Sequence, residues 1–190
     1  MYPTYPTLLT VATTGVDSRP VRIAERVGAA AFITVLTAIA AQISLPLPFT
    51  PVPFTFQPMI VLLGGAVLGS RLGMASQVLY LALGIAGLPV FAASSTLPPG
   101  AARLFGPTGG YLLSYPAAAF TAGWLAERGF DRRYLTSVAA MACGLALVFA
   151  GGIAGLTFFA GAPHGFSRAI GEPRLSHRGD GKNPTQASRY

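Results

Sequence analysis

Apart from Arg71 at the margin of the second, none of the long apolar runs in this chain contains Asp, Glu, Lys, Arg or His. Five such runs follow one another: Val27 to Ile43, Pro58 to about Leu68 or Leu72, Met74 to about Ala93, Tyr111 to about Ala126, and Tyr134 to about Phe159. A stretch of about 17 to 25 apolar residues is what a helix needs to cross the ~30 Å hydrocarbon core of a bilayer. Only 10% of the 190 residues are charged while 52% are hydrophobic, at mean hydropathy +0.56; an ordinary soluble domain carries about 25% charge. The pattern predicts an all-α integral membrane protein of about five spans. Its 16 prolines and 23 glycines sit at the ends of the runs and in the loops, where they punctuate helices.

The charges orient the spans. Arg19, Arg22 and Arg26 precede the first run, Arg71 stands at the turn after the second, and Arg128, Arg132 and Arg133 follow the fourth. Basic residues collect on the cytoplasmic side, so the amino terminus belongs inside, and residues 1–26 read as a cytoplasmic leader ahead of a membrane domain at 27–160. The net charge of +7 does not point to nucleic acid, because the basic residues are scattered at helix flanks rather than interleaved with exposed aromatics.

Three small-residue patterns suggest close helix packing, which in lipid replaces the hydrophobic drive. Ala30, Thr34 and Ala38 recur every fourth residue, as do Gly65, Gly69 and Gly73, and Ala142, Ala146 and Ala150. The first stripe suits either a partner helix or packing inside the chain.

The loops hold what the spans lack. Residues 44–57 carry no charge, and Pro46, Pro48, Pro51 and Pro53 bar them from a helix or a central strand. An apolar loop stiffened this way suits a cap over an apolar ligand, with Gln57 supplying a donor and an acceptor at its edge. Gly84, Gly87 and Pro89 loosen the end of the third run, so Leu88 to Phe91 is expected as irregular backbone facing a cavity. Arg103 is the lone basic residue of the 94–110 loop, either a partner for a ligand carboxylate or a solvated loop charge. In Gly106-Pro-Thr-Gly-Gly-Tyr111 the turn at Gly106-Pro107 leads to Gly109 and Gly110, which can take φ > 0 and leave N–H groups bare for a ligand. The same string also fits a plain tight turn between two membrane helices.

Several classes drop out. There is no phosphate-binding G-x-x-x-x-G-K-[ST] loop, so the chain does not power transport from ATP by itself. The charge-free spans disfavour proton- or ion-coupled carriers and voltage sensors. No Ser/His/Asp, Cys/His or paired-carboxylate constellation marks an enzyme. Cys143 is the single cysteine, and His164 and His177 lack helical partners, so neither a disulfide framework nor a metal or cofactor site is expected. What remains is a membrane protein that binds something and relies on partners.

Four strings in order, residues 45–57, Gly64 to Gly69, Gly87 to Phe91 and Arg103 to Pro116, resemble the BioY family over roughly residues 25 to 165. These proteins are the biotin-binding S components of energy-coupling factor transporters. The resemblance implies a compact helical bundle in the bacterial inner membrane, with biotin as ligand and a membrane-embedded coupling subunit and two ATPases as partners. It places the ligand-covering loop at Thr50, Pro51, Pro53, Thr55 and Gln57, and the pocket floor at Pro89, Phe91, Gly106, Thr108, Gly109, Gly110 and Tyr111. It also assigns docking of the coupling subunit to the Ala30/Thr34/Ala38 face. An S component for another vitamin and a nonfunctional remnant are the alternatives.

The resemblance further implies a sixth helix opening with Pro-Gly-Asp-x-x-Lys. Residues 161–190 contain no further spanning run and form a polar tail in which Arg168, Arg174, Arg178, Lys182 and Arg189 outnumber Glu172 and Asp180. On the alternation of spans this tail falls outside, against the positive-inside bias, and it reads as a truncated or frame-shifted end that impairs binding.

The orientation is testable by accessibility. A cysteine introduced in the 45–56 loop is expected to react with an impermeant thiol reagent from outside intact cells. Preferential reaction of a cysteine placed beside Arg132 instead would invert the topology.

Overall fold

The computed structural model describes residues 6–8, 19–45, 54–92 and 100–161. Thr50, Pro51, Pro53 and the tail from residue 162 onward lie outside these segments. Five helices carry the fold: α1 (Arg19–Gln42), α2 (Gln57–Leu68), α3 (Ser70–Ile85), α4 (Gly109–Ala126) and α5 (Tyr134–Gly161). Short 3₁₀ turns precede α4 at Ala101–Phe105 and α5 at Phe130–Arg132.

The helix ends follow local chemistry. α1 begins eight residues ahead of its charge-free run, with Pro20 in the first turn, where a missing N–H costs nothing. Pro58 opens α2 in the same way. Gly69, at φ 86°, separates α2 from α3; only glycine takes that backbone without strain. α3 stops at Ile85 rather than near Ala93, because Gly87 (φ 96°) donates to the Gly84 carbonyl while Leu88 donates back to Leu83. Those two bonds close a Schellman end, and the residues after it are irregular backbone, as the glycines and Pro89 suggest. With 12 residues, α2 is about 18 Å long at 1.5 Å per residue, short of the hydrocarbon thickness.

Although the prolines exclude a central strand between α1 and α2, the proline-free ends of that loop pair. Ser44 lies opposite Thr55 and Leu45 opposite Phe54 in a two-residue antiparallel rung, β1 (Ser44–Leu45) with β2 (Phe54–Thr55). This rung seats Thr55 and Gln57 against the bundle.

α4 is the central helix, packed on α2, α3 and α5, while α1 lies across α2 and α3. Its inward residues are mostly small: Ala118, Ala119, Ala122, Gly123 and Ala126 are buried. A Cβ on Gly65 would fall on the Ala119 carbonyl, one on Gly73 on Gly65, and one on Gly123 on the Gly69–Ser70 peptide. Three helix backbones therefore meet here without side chains between them. Glu127, just past α4, completes this corner by accepting from the Ser70 N–H at 2.7 Å and the Ser70 hydroxyl at 3.0 Å. A carboxylate from a neighbouring helix thus caps the first turn of α3, where the helix dipole favours negative charge.

Two packing expectations are corrected. Ala30 and Thr34 are buried within the chain, and Thr34 donates to the carbonyls of Ala30 (2.9 Å) and Ser76 (2.8 Å), so the Ala30/Thr34/Ala38 stripe is the α1–α3 seam rather than a free docking face. Ala38 packs on the core. On α5, Ala142, Ala146 and Ala150 are exposed, whereas Ala140, Gly144, Val148 and Gly152 are buried; the packing ridge runs two residues out of phase with the alanines.

The remaining surface is apolar. Only 28% of the apolar window of α1 and 22% of that of α5 are buried, leaving Phe32, Val35, Ile39, Leu145, Phe149 and Ile153 among the exposed side chains. A core helix of a soluble protein would bury them. α1 is no detached leader either, since Ile33, Thr37, Ala40 and Ala41 are buried. Lipid is the solvent that makes such a surface stable.

The α1–α3 seam holds one unmatched group. Gln77 is fully buried, and its Nε2 reaches the hydroxyls of Thr37 (3.4 Å) and Ser76 (3.3 Å), but its Oε1 has no donor. Thr37 and Ser76 already donate to the Ile33 and Gly73 carbonyls. An unsatisfied buried acceptor costs about 1–3 kcal/mol. Gln77→Met is therefore expected to raise the thermal unfolding midpoint by about 2–4 °C per kcal/mol regained. A lowered midpoint would mean that a donor reaches Oε1 in the working protein.

Candidate functional site

At the end of the bundle that carries the β1–β2 rung, polar side chains gather around Tyr80. α3 places Tyr80 with its ring fully buried. Gln57, first residue of α2 and 3% exposed, donates from Nε2 to the Tyr80 hydroxyl at 2.6 Å. Tyr80 donates onward to the Val90 carbonyl at 3.1 Å, and the Thr55 hydroxyl donates to Gln57 Oε1 at 3.2 Å. Tyr115 of α4 is also buried, in the same core cluster as Tyr80 and Phe91.

The irregular segment after α3 is held from three sides. Phe91 meets Tyr80 edge-on, with ring centroids 5.5 Å apart at 79°, and its ring occupies the space over Gly84 where a Cβ would sit. Gln42, at the end of α1, donates to the carbonyls of Pro89 (3.2 Å) and Phe91 (3.4 Å). Arg103 approaches from the 3₁₀ turn and donates to the Ala92 carbonyl. Only 8% of Arg103 is exposed, which rules out a solvated loop charge. Desolvation pulls its guanidinium below the ordinary value, with Tyr80 acting in the opposite direction; an arginine nevertheless stays cationic in a protein.

The sequence-predicted residues thus divide. Thr55, Gln57, Phe91 and Arg103 come together around Tyr80, while Thr50 lies outside the described residues. The Gly106–Tyr111 string serves mainly to start α4. Gly106 is extended and buried, and Thr108 makes no side-chain cap bond. Gly109 and Gly110 are the first residues of α4, and the glycines with positive φ among the described residues are Gly69, Gly87, Gly100 and Gly129. The expectation of φ > 0 at Gly109 and Gly110 is therefore corrected. Their missing side chains are used for close approach: a Cβ on Gly109 would strike the Leu104 carbonyl, and one on Gly110 would strike the Gly151 carbonyl and Gly155. Tyr111 lies over Gly152 and meets Phe149 edge-on at 6.2 Å, so it packs on α5.

Tyr80, Tyr115 and Gln42 were not picked out from sequence. The usable signal was the phenol itself, since a tyrosine inside a charge-free span needs a partner for its hydroxyl. Chemically the cluster offers two phenols, two amides, a hydroxyl and a fixed cation beside apolar rings. These groups suit hydrogen-bonded recognition of an organic molecule.

The packing role of Gly110 is testable. Gly110→Ala is expected to lower the unfolding midpoint by several degrees through α4–α5 separation, whereas Thr108→Ala changes it little. An unchanged midpoint in Gly110→Ala would return the glycine to a ligand-contacting role.

Comparison with known proteins converges on one family. A model described as the BioY family matches residues 12–172. A "Probable biotin transporter BioY" of Pyrococcus horikoshii is 45% identical over 115 residues, 60% of this chain and 66% of that protein. A "Biotin transporter BioY" of Thermotoga maritima is 39% identical over 141 residues, covering 74% of this chain and 78% of its own length. The chain spans 58% of the relative from Lysinibacillus sphaericus, at 38% identity. Among solved structures, the crystal structure of the S-component for biotin from an ECF-type ABC transporter superposes with a TM-score of 0.68 at 25% identity, over 82% of both chains.

Proposed function

The chain belongs to the BioY family, and from that premise we propose that it is the membrane-embedded biotin-binding subunit of an energy-coupling factor transporter. It spans the bacterial inner membrane several times and works with a coupling subunit and ATPases, the chain itself having no phosphate loop. Biotin joins a cyclic urea and a thioether ring to a chain ending in a carboxylate. Such a molecule needs an apolar slot, a few placed hydrogen-bonding groups and one positive charge.

The observation that carries this reading is the buried guanidinium of Arg103 beside the Gln57–Tyr80 pair. A guanidinium presents a planar, charge-assisted pair of donors that matches a carboxylate. The chain of biotin ends in such a group. Gln57, Thr55 and Phe91 lie close enough through Tyr80 to face the same molecule, and the charge distribution puts this end outside, where an imported vitamin arrives.

Equilibrium binding to the purified chain in nanodiscs tests the assignment. Wild type is expected to bind biotin saturably and biotinamide, which lacks the carboxylate, more weakly. A hydrogen bond to a charged group contributes about 1.5–3 kcal/mol, so Arg103→Gln is expected to weaken biotin binding by roughly one to two decades. Biotinamide binding should change far less. No saturable biotin binding by wild type would overturn the substrate, and equal loss for both ligands would remove Arg103 from carboxylate recognition.

A further inference from the structure

The hydrogen bonds around Tyr80 have only one possible direction. A carbonyl oxygen has lone pairs and no proton, so at Val90 the Tyr80 hydroxyl must be the donor. The Tyr80 oxygen then accepts from Gln57 Nε2 at 2.6 Å, which turns the other end of that amide toward Thr55. Thr55 spends its single proton on Gln57 Oε1 at 3.2 Å. The result is one ordered chain running from Thr55 through Gln57 and Tyr80 to the Val90 carbonyl.

Each link sits on a different element. Thr55 belongs to β2, Gln57 to α2 and Tyr80 to α3, while Val90 lies in the irregular segment beyond α3. Tyr80 is 0% exposed and Gln57 3%, so the bond between them is closed to water, while Thr55 is half-buried. Reversing or removing one bond leaves its neighbours with a buried donor or acceptor alone, and hydrogen bonds in such chains reinforce one another. Displacement of β2 is thereby felt at Val90, although the two make no hydrogen bond with each other.

We propose that Tyr80 is a positioning residue that locks the Thr55–Gln57 side of the ligand site to the Val90–Phe91 side, so that both sides form or loosen as one unit. This rests on the biotin reading for its ligand, though not for its geometry. Phe91 is held by the same arrangement, through its edge-on contact with Tyr80. A phenylalanine at position 80 keeps that ring contact and deletes only the two hydrogen bonds.

A double-mutant cycle on the full chain in nanodiscs tests the coupling. Thr55→Val and Tyr80→Phe are each expected to weaken biotin binding about tenfold. Combined, they are expected to weaken it about tenfold again rather than about a hundredfold, because either change already breaks the chain. Gln57→Met with Tyr80→Phe forms a second cycle, across the central link, for use where one variant does not fold. Multiplying effects, or single variants that bind like wild type, would overturn the proposal.

A spin label supplies a readout without ligand. Leu45, exposed and paired with Phe54, is replaced by cysteine in a Cys143→Ala background and labelled. Tyr80→Phe is expected to increase the mobility of this label, while an unchanged spectrum sinks the coupling. If wild type fails to bind biotin, the substrate reading falls and the label still decides whether the chain couples the two sides.

Discussion

Lipid offers no reward for bringing two apolar helices together, so this bundle depends on how closely helix backbones approach at the corner of Gly65, Gly69, Gly73 and Gly123. Dispersion between backbones at that distance replaces the hydrophobic drive of a water-soluble core. The corner also explains why α2 and α3 are two helices. Gly69 takes a positive φ that a larger residue resists, and a side chain there would meet Glu127 and Thr7. Glu127 then caps the new helix start from α4. Once α2, α3 and α4 are fixed at this end, the positions of Gln57, Tyr80 and Tyr115 at the opposite end follow.

That opposite end obeys different physics. It is built of hydrogen bonds where water is scarce, so each polar group must find a partner in the protein. Tyr80 is satisfied on both sides, and Gln57 through both ends of its amide. Gln77, one turn along α3, is satisfied through Nε2 only. The polar residues of α3 thus form a graded series along one face, from a fully matched layer at the ligand end to an unmatched acceptor against α1. Rigidity at the site and a weaker α1 seam are consequences of the same helix face.

The functional reading joins these two ends. On the proposed reading, a site for a small amphipathic vitamin gains from pre-ordered groups, because ordering them on binding would cost affinity. Gln42 holds the Pro89 and Phe91 carbonyls, Arg103 holds Ala92, and Tyr80 holds Val90. Segment 89–92 is therefore irregular without being loose. Its backbone is tied by three side chains from three elements, which is how backbone outside a helix is sustained beside a membrane.

Composition and order along the chain determined the class of protein, the run of helices, the irregular turn after Gly87 and the BioY resemblance. Each of these depends on residues adjacent in sequence: charge excluded from a run, a glycine beside a proline, a string of motifs. Thr55, Gln57, Phe91 and Arg103 stood out as candidates because polar or aromatic groups are conspicuous in loops that border apolar spans, and the fold gathers them around Tyr80. The roles of Thr34, Gly110 and Ala146 were not legible, since a small residue looks alike whether it faces a helix of the same chain, a partner or lipid. Only the rotation of one helix against another decided that Thr34 bonds Ser76, that Gly110 admits Gly151, and that Ala146 faces out. The ordered chain from Thr55 to Val90 belongs to the tertiary structure for the same reason: its central link joins Gln57 to Tyr80, far apart in sequence, and the direction of every bond is set by a single carbonyl that cannot donate.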